Sequence, residues 1–236
     1  MTRVPLLIPL AVATALSASV GAQAQRQFQQ DANRLPQAIG TGQSSMSELA
    51  AGDLNGDGRL DFFANGNPVA VFAQQPSGSF VFAAQNVVVS SDEIVRLLDA
   101  DGDGDLDAFL MPPATGARNV KLLINDGTGT FARVTTSGPL APIVASAAVG
   151  DLDGDNLPDL VLAHGSGSGT PQIQVWINQG ASNFSLLTAA IPGLTAVQYF
   201  VALADLDGDN DLFVVNNGGF LAPSFGQRLL ENTRIP

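Results

Sequence analysis

Of the 22 acidic residues in this 236-residue chain, 16 fall into four short loops of one pattern. The first runs Asp53-Leu54-Asn55-Gly56-Asp57-Gly58-Arg59-Leu60-Asp61. The second places acids at Asp99, Asp101, Asp103, Asp105 and Asp107, and the third at Asp151, Asp153, Asp155 and Asp159. Side-chain oxygens therefore recur at loop positions 1, 3, 5 and 9. A backbone carbonyl at position 7, held by Arg59, Asp105 and Leu157, could complete the set. Position 6 is Gly58, Gly104 or Asn156, residue types that readily adopt the left-handed backbone needed to wrap a chain around an ion. Six to eight hard oxygen ligands on a flexible loop suit calcium, and without a cation each cluster repels itself. The fourth loop departs from the plan. Asp205, Asp207 and Asp209 occupy positions 1, 3 and 5, but position 9 falls on Phe213. Two residues are missing after Asn210, and Asp211 is the only acid left to substitute. Three calcium sites are expected, with a weak or empty fourth.

An EF-hand needs a bidentate Glu at position 12. That position holds Ala64, Leu110, Leu162 and Asn216, and no helical pattern flanks the loops. The plainer alternative is four solvated acidic turns. Their common register with a strand period argues against it.

The loops must be presented by strands. They start at Asp53, Asp99, Asp151 and Asp205, steps of 46, 52 and 54 residues. A period near 50 suits propeller blades of four strands each. Each unit has an apolar run before its loop, such as Ala145 to Val149, and a second run directly after it. A third follows at Val69 to Phe72, Val120 to Ile124 or Ile173 to Ile177. A turn then leads to a fourth run headed by Phe80, Phe131 or Phe184. Runs of four to six apolar residues between turn signals are strands, not helices. The last unit ends with a third strand near Gln227 to Leu230. Its missing fourth is expected from Phe28 to Pro36, which would close a ring; the alternative is a piece of a larger propeller.

Composition narrows the function. Ten basic residues against 22 acidic ones leave a net charge of -12, which repels a phosphate backbone and excludes nucleic acid as a partner. Absent cysteine excludes disulfides and thiolate sites, and a single histidine excludes two-histidine chemistry. Met1 to Ala24 has the form of a secretory signal peptide. Arg3 precedes the apolar stretch Val4 to Val20, and Ala22-Gln23-Ala24 fits the cleavage pattern. Two prolines interrupt that stretch, and no other segment is long enough to span a bilayer. The expected location is secreted, periplasmic or cell surface, with residues 25–236 as one domain whose repeats begin near 44, 91, 143 and 197.

The loops, each followed by an apolar strand, resemble FG-GAP/VCBS repeats, which build the β-propeller of integrin alpha chains and of many bacterial surface proteins. The likeness covers about residues 28 to 235. It implies an all-β fold of about four four-stranded blades, as a small ring, an arc or a fragment. It also implies that Asp53, Asn55, Asp57 and Asp61 ligate one calcium. Asp99, Asp101, Asp103 and Asp107 would hold a second, and Asp151, Asp153, Asp155 and Asp159 a third. The Phe-Gly-Gly-Ala-Pro signature survives only as Gly219-Phe220-Leu221-Ala222-Pro223, so the bacterial variety is the closer match.

The function expected from these features is a calcium-stabilised binding module for a protein or glycan, with loops of a rigid disc making the contacts. Trp176 and Tyr199 are the only Trp and Tyr, and Trp176 reads as core. The alternatives are a polysaccharide lyase or hydrolase on the same scaffold, or a subunit of a larger assembly. For an enzyme, His164 and the pair Asp92-Glu93 are the available groups, and neither has a partner evident from sequence.

Overall fold

The structure, a computed structural model, describes residues 31, 33–34, 44–85, 87, 94–111, 120–134, 144–164, 173–187, 199–206, 210–216 and 227–232. Met1–Ala32 and Asn33–Pro236 are separate units, and the fold below belongs to the second. The leader, the Asp92-Glu93 pair and the Gly219 to Pro223 signature lie outside the described residues.

All described regular structure is β, in four antiparallel sheets. The first holds β1 (Ser44–Gly52), β2 (Asp61–Asn67), β3 (Ala70–Gln74) and β4 (Phe80–Ala84) in sequence order. The second holds β5 (Ile94–Leu98), β6 (Asp107–Met111), β7 (Lys121–Asn125) and β8 (Phe131–Val134). The third holds β9 (Val144–Gly150), β10 (Asp159–His164), β11 (Ile173–Asn178) and β12 (Phe184–Leu187). The fourth has three strands among the described residues, β13 (Tyr199–Asp205), β14 (Asn210–Asn216) and β15 (Gln227–Leu230). Each sheet is a meander of neighbours, as in a propeller blade. Every acidic loop joins the first strand of its sheet to the second.

The first strands run side by side, β1 against β5, β5 against β9 and β9 against β13. The sheets therefore follow one another face to face, and among the described residues the row is not closed. This stacking explains the sequence of the second strands. Both faces of β6 are covered, and all five of its residues are buried, including Phe109, Leu110 and Met111. A strand covered on both faces is a continuous apolar run, not an alternating one. The outer strands face water, and β12 buries only Phe184. Between the sheets, Phe63 meets Phe131 edge-on at 5.0 Å and Phe109 meets Phe184 at 5.1 Å. Such pairs add about 0.5–1.5 kcal/mol beyond their burial. Trp176 is partly buried against the second interface, and its indole N–H donates to Gln174 Oε1 at 3.0 Å.

Polar contacts also cross between sheets. Arg96 in β5 donates through Nε to the Ala147 carbonyl of β9 at 2.9 Å and through Nη1 to Glu48 of β1 at 3.3 Å. Gln85, after β4, donates to the Gly129 carbonyl and accepts the Phe131 N–H, pinning the start of β8. Of the N-terminal segment expected to close the ring, only Asp31, Asn33 and Arg34 are described. The Arg34 carbonyl accepts the Phe80 N–H at 2.8 Å, at the outer strand of the first sheet. The rest of that expected strand lies outside the described residues.

Candidate metal centre

Loop position 9 opens the second strand in the first three sheets, and Asp211 is the second residue of β14; each is buried although it is an aspartate. Asp61, Asp107 and Asp159 are fully buried, and Asp211 nearly so. Each is held by backbone donors. Oδ2 of Asp61, Asp107 and Asp159 accepts the N–H of loop position 2, from Leu54 at 3.2 Å, Ala100 at 2.9 Å and Leu152 at 2.7 Å. Oδ1 accepts the N–H of the last residue of the third strand, from Gln74 at 2.7 Å, Asn125 at 2.8 Å and Asn178 at 2.8 Å. Carboxylates so engaged tie the loop to the sheet.

The register settles the fourth loop. Asp61 pairs with Gly52, Asp107 with Leu98 and Asp159 with Gly150, in each case the residue just before loop position 1. Asp211 pairs with Ala204, which stands just before Asp205. Its Oδ1 accepts the Asn232 N–H at 2.9 Å, as Asp107 accepts that of Asn125. Asp211 is thus the structural position 9 of a loop two residues shorter, and Phe213 lies two places beyond it in β14. Asp207 and Asp209 lie outside the described residues.

The loops themselves are built from side-chain acceptors and backbone donors. Position 1 takes the N–H of position 6: Gly58 to Asp53 at 2.7 Å, Gly104 to Asp99 at 2.9 Å and Asn156 to Asp151 at 3.0 Å. Position 6 has a left-handed backbone in all three, and Asn156 manages it at φ 70° without being glycine. Position 5 takes the N–H of position 7: Arg59 to Asp57 at 3.0 Å, Asp105 to Asp103 at 2.9 Å and Leu157 to Asp155 at 2.8 Å.

In two loops the carboxylates converge. One oxygen each from Asp99, Asp101 and Asp107 lies within 4.8 Å of the others, and the same holds for Asp151, Asp153 and Asp159. Burial and mutual repulsion disfavour the ionised carboxyls here. Burial pushes the Asp107 carboxyl up to about 6 despite its two backbone donors, and Asp101 and Asp103 add repulsion. Burial likewise raises Asp159 to about 6, with Asp153 and Asp155 contributing. Asp101 is raised by burial and by the charge of Asp103. An all-oxygen anionic donor set of this kind matches a hard divalent ion.

The first loop differs. No carboxylate trio of this type forms there: position 3 is Asn55, and the Arg59 guanidinium pairs with Asp57. Arg59 Nε also donates to the Gln74 carbonyl at 2.8 Å, so a cation from the chain already sits beside position 5. The Gly58 N–H is the main influence holding Asp53 below the usual carboxylate range. The sequence signal for this difference is the basic side chain at position 7, where the other two loops have Asp105 and Leu157.

Each of the first three loops is also gripped by the following sheet. Asn125 Nδ2 donates to the Leu54 carbonyl at 2.8 Å, and Asn232 Nδ2 to the Leu152 carbonyl at 2.8 Å. The turn before β12 sends the Ala181 N–H to the Asp101 carbonyl and the Ser182 N–H to the Ala100 carbonyl. Asn210 Nδ2 donates to the Asp151 carbonyl at 2.9 Å. Asn125 and Asn232 share a sequence signal, an Asn that follows the apolar run of the third strand.

A meander of four-stranded sheets with an acidic loop between first and second strands defines a β-propeller-type repeat protein. The model of the FG-GAP-like repeat matches residues 53–110, 99–162 and 151–215, and the chain belongs to that family. No curated protein matches it. Among the described residues no helix is long and apolar enough to cross a membrane.

Proposed function

We propose that this chain is an exported recognition module whose acidic loops bind calcium as a structural ion, leaving the loops of the propeller-type sheets to bind a protein or glycan. The observation that carries the metal is the convergence of Asp99, Asp101 and Asp107, and of Asp151, Asp153 and Asp159, on one point each. Asp103 and Asp155, with the position 7 carbonyls of Asp105 and Leu157, complete these two ligand sets. Asp53, Asn55, Asp57, Asp61 and the Arg59 carbonyl form a weaker first site. Asp205, Asp207, Asp209 and Asp211 form the weakest, on the shortened loop. The ion neutralises the clustered charge and ties the first strand of a sheet to its second. The recognition role is supported by the family, whose repeats are often involved in ligand recognition.

The experiment is a thermal melt of the chain in millimolar calcium, in magnesium and in EDTA. An ion that binds only the folded state stabilises it by about 2.7 kcal/mol per site at a hundredfold excess over Kd. A rise of many degrees in calcium, not reproduced by magnesium, is expected. Equal midpoints in calcium and EDTA would leave the acidic loops as solvated turns.

A further inference from the structure

Two of the acidic loops share a wall. Leu157 is position 7 of the third loop. Its N–H donates to Asp155 at 2.8 Å, and its carbonyl is the position 7 ligand proposed for the third site. Its side chain lies on the second loop: a methyl group added at Gly102 would meet Leu157 Cδ2 at 3.4 Å, and one at Gly180 would meet Cδ1 at 3.6 Å. Gly102 stands between Asp101 and Asp103, and its N–H donates to Asp99 Oδ1 at 2.7 Å. One residue thus gives its main chain to one acidic cluster and its side chain to the next.

The hairpin between β11 and β12 completes the wall. Asn178, which closes β11, donates its N–H to Asp159 Oδ1 of the third loop at 2.8 Å and its Nδ2 to the Asp99 carbonyl of the second at 3.4 Å. The N–H groups of Ala181 and Ser182 donate to the Asp101 and Ala100 carbonyls at 3.0 and 3.1 Å. Gly180, Ala181 and Ser182 hold φ of 75°, 51° and 61°. Two of these are non-glycine residues in a left-handed backbone, which L side chains disfavour and which persists where surrounding contacts enforce it. The contacts here are the carbonyls of the second loop. The second loop and the third sheet therefore hold each other in shape.

We infer that the second and third loops bind calcium cooperatively, with the Leu157 side chain as the link between them; this rests on the calcium reading of the loops. An ion in the third loop draws in the Leu157 carbonyl and so fixes the side chain that lies on Gly102. An ion in the second loop orders Ala100 and Asp101, the acceptors that hold the turn at Gly180 to Ser182, on which Leu157 also rests. Such coupling is reciprocal, the same factor in either direction. Charge works against it, because one ion weakens the negative field that attracts the next. Salt screens that opposition, so the contact coupling is plainest at physiological ionic strength.

The test is competition with a chromophoric calcium chelator at about 0.15 M salt, on the full chain as parent, D101A, D153A and D101A/D153A. D153A reports the second loop alone and D101A the third alone. The double variant reports the weaker first and fourth loops, common to all four chains. The parent should bind at the second and third loops at least about fivefold more tightly than the two single-loop constants together require. Leu157→Ala in all four backgrounds should bring that factor to within about twofold of one, and Leu157→Met should keep most of it. The factor is a ratio within one background, so affinity lost at the third loop itself cancels. Emission of Trp176, the sole Trp, which packs between the second and third sheets, checks that stacking is intact. If Leu157→Ala loses it, Leu157→Val takes its place. A parent that takes up no calcium defeats the calcium reading itself. Calcium uptake with a factor of one in the parent, or a factor that survives truncation of Leu157, overturns the inference alone.

Discussion

The side-chain amide of Asn125, the last residue of β7, donates at 2.8 Å to the main-chain carbonyl of Leu54, 71 residues earlier in the acidic loop of the preceding sheet. The same amide reaches the Leu106 carbonyl at 3.1 Å, and Asn125 Oδ1 accepts the Gly129 N–H at 3.1 Å. One buried side chain thus joins its own loop, the loop of its neighbour and the hairpin turn beside both. Loop order and sheet packing are coupled through it.

Replacing Asn125 by Ala leaves two buried carbonyls and one N–H without this partner. Each unmet buried group costs about 1–3 kcal/mol, partly offset where water enters. Asn125→Ala should destabilise the chain by about 2–4 kcal/mol in urea titration. Asn125→Asp should be worse, since it offers no donor to Leu54 and adds a buried charge. An Ala variant within a few tenths of a kcal/mol of the parent would show that the amide is dispensable.

Phe109 and Phe213 occupy the same place in their sheets but differ in burial. Phe109→Ala opens a cavity between two sheets and should cost about 3–5 kcal/mol. Phe213→Ala, measured in dilute solution, should cost under about 1 kcal/mol. Comparable losses at the two positions would mean that the fourth sheet is covered in solution.

The raised carboxyls of Asp107 and Asp159 set the pH dependence. Both titrate near pH 6 in the folded chain against an ordinary value of 3.8, so the metal-free fold binds more protons than the unfolded chain between those values. Stability in EDTA should therefore fall as pH rises from about 4 to about 6, then level off. Calcium needs the ionised forms, so its affinity should fall as pH drops through about 6. Melts with and without calcium across this range would show the two midpoints diverging as pH increases. Parallel curves would mean that these carboxylates are not ligands.

In the first loop, Arg59 competes with any bound ion for Asp57. The pair is partly exposed, and such pairs are worth about 0.2–1 kcal/mol. Arg59→Ala should tighten calcium binding at that loop by roughly two- to five-fold, read by calorimetry in a chain whose second and third loops carry D101A and D153A. Weaker binding in Arg59→Ala would assign the guanidinium a supporting role instead.

The sequence alone determined the repeat, the strand plan and the recurring acidic positions of the loops. These are local: an oxygen at every second position, a left-handed turn at position 6, and apolar runs of strand length need no tertiary partner to be legible. Even the shortened fourth loop was visible as a gap after Asn210. The tertiary structure decided what depends on pairing across distance. Register made Asp211 the position 9 residue, because its hydrogen-bonded partner Ala204 and the Asn232 donor lie on other strands. Folding brought Arg59 onto Asp57 while gathering Asp99, Asp101 and Asp107, so loops nearly identical in spelling differ as sites. Stacking alone separated Phe109 from Phe213: the two are equivalent in the repeat, and only the presence of a following sheet buries one of them.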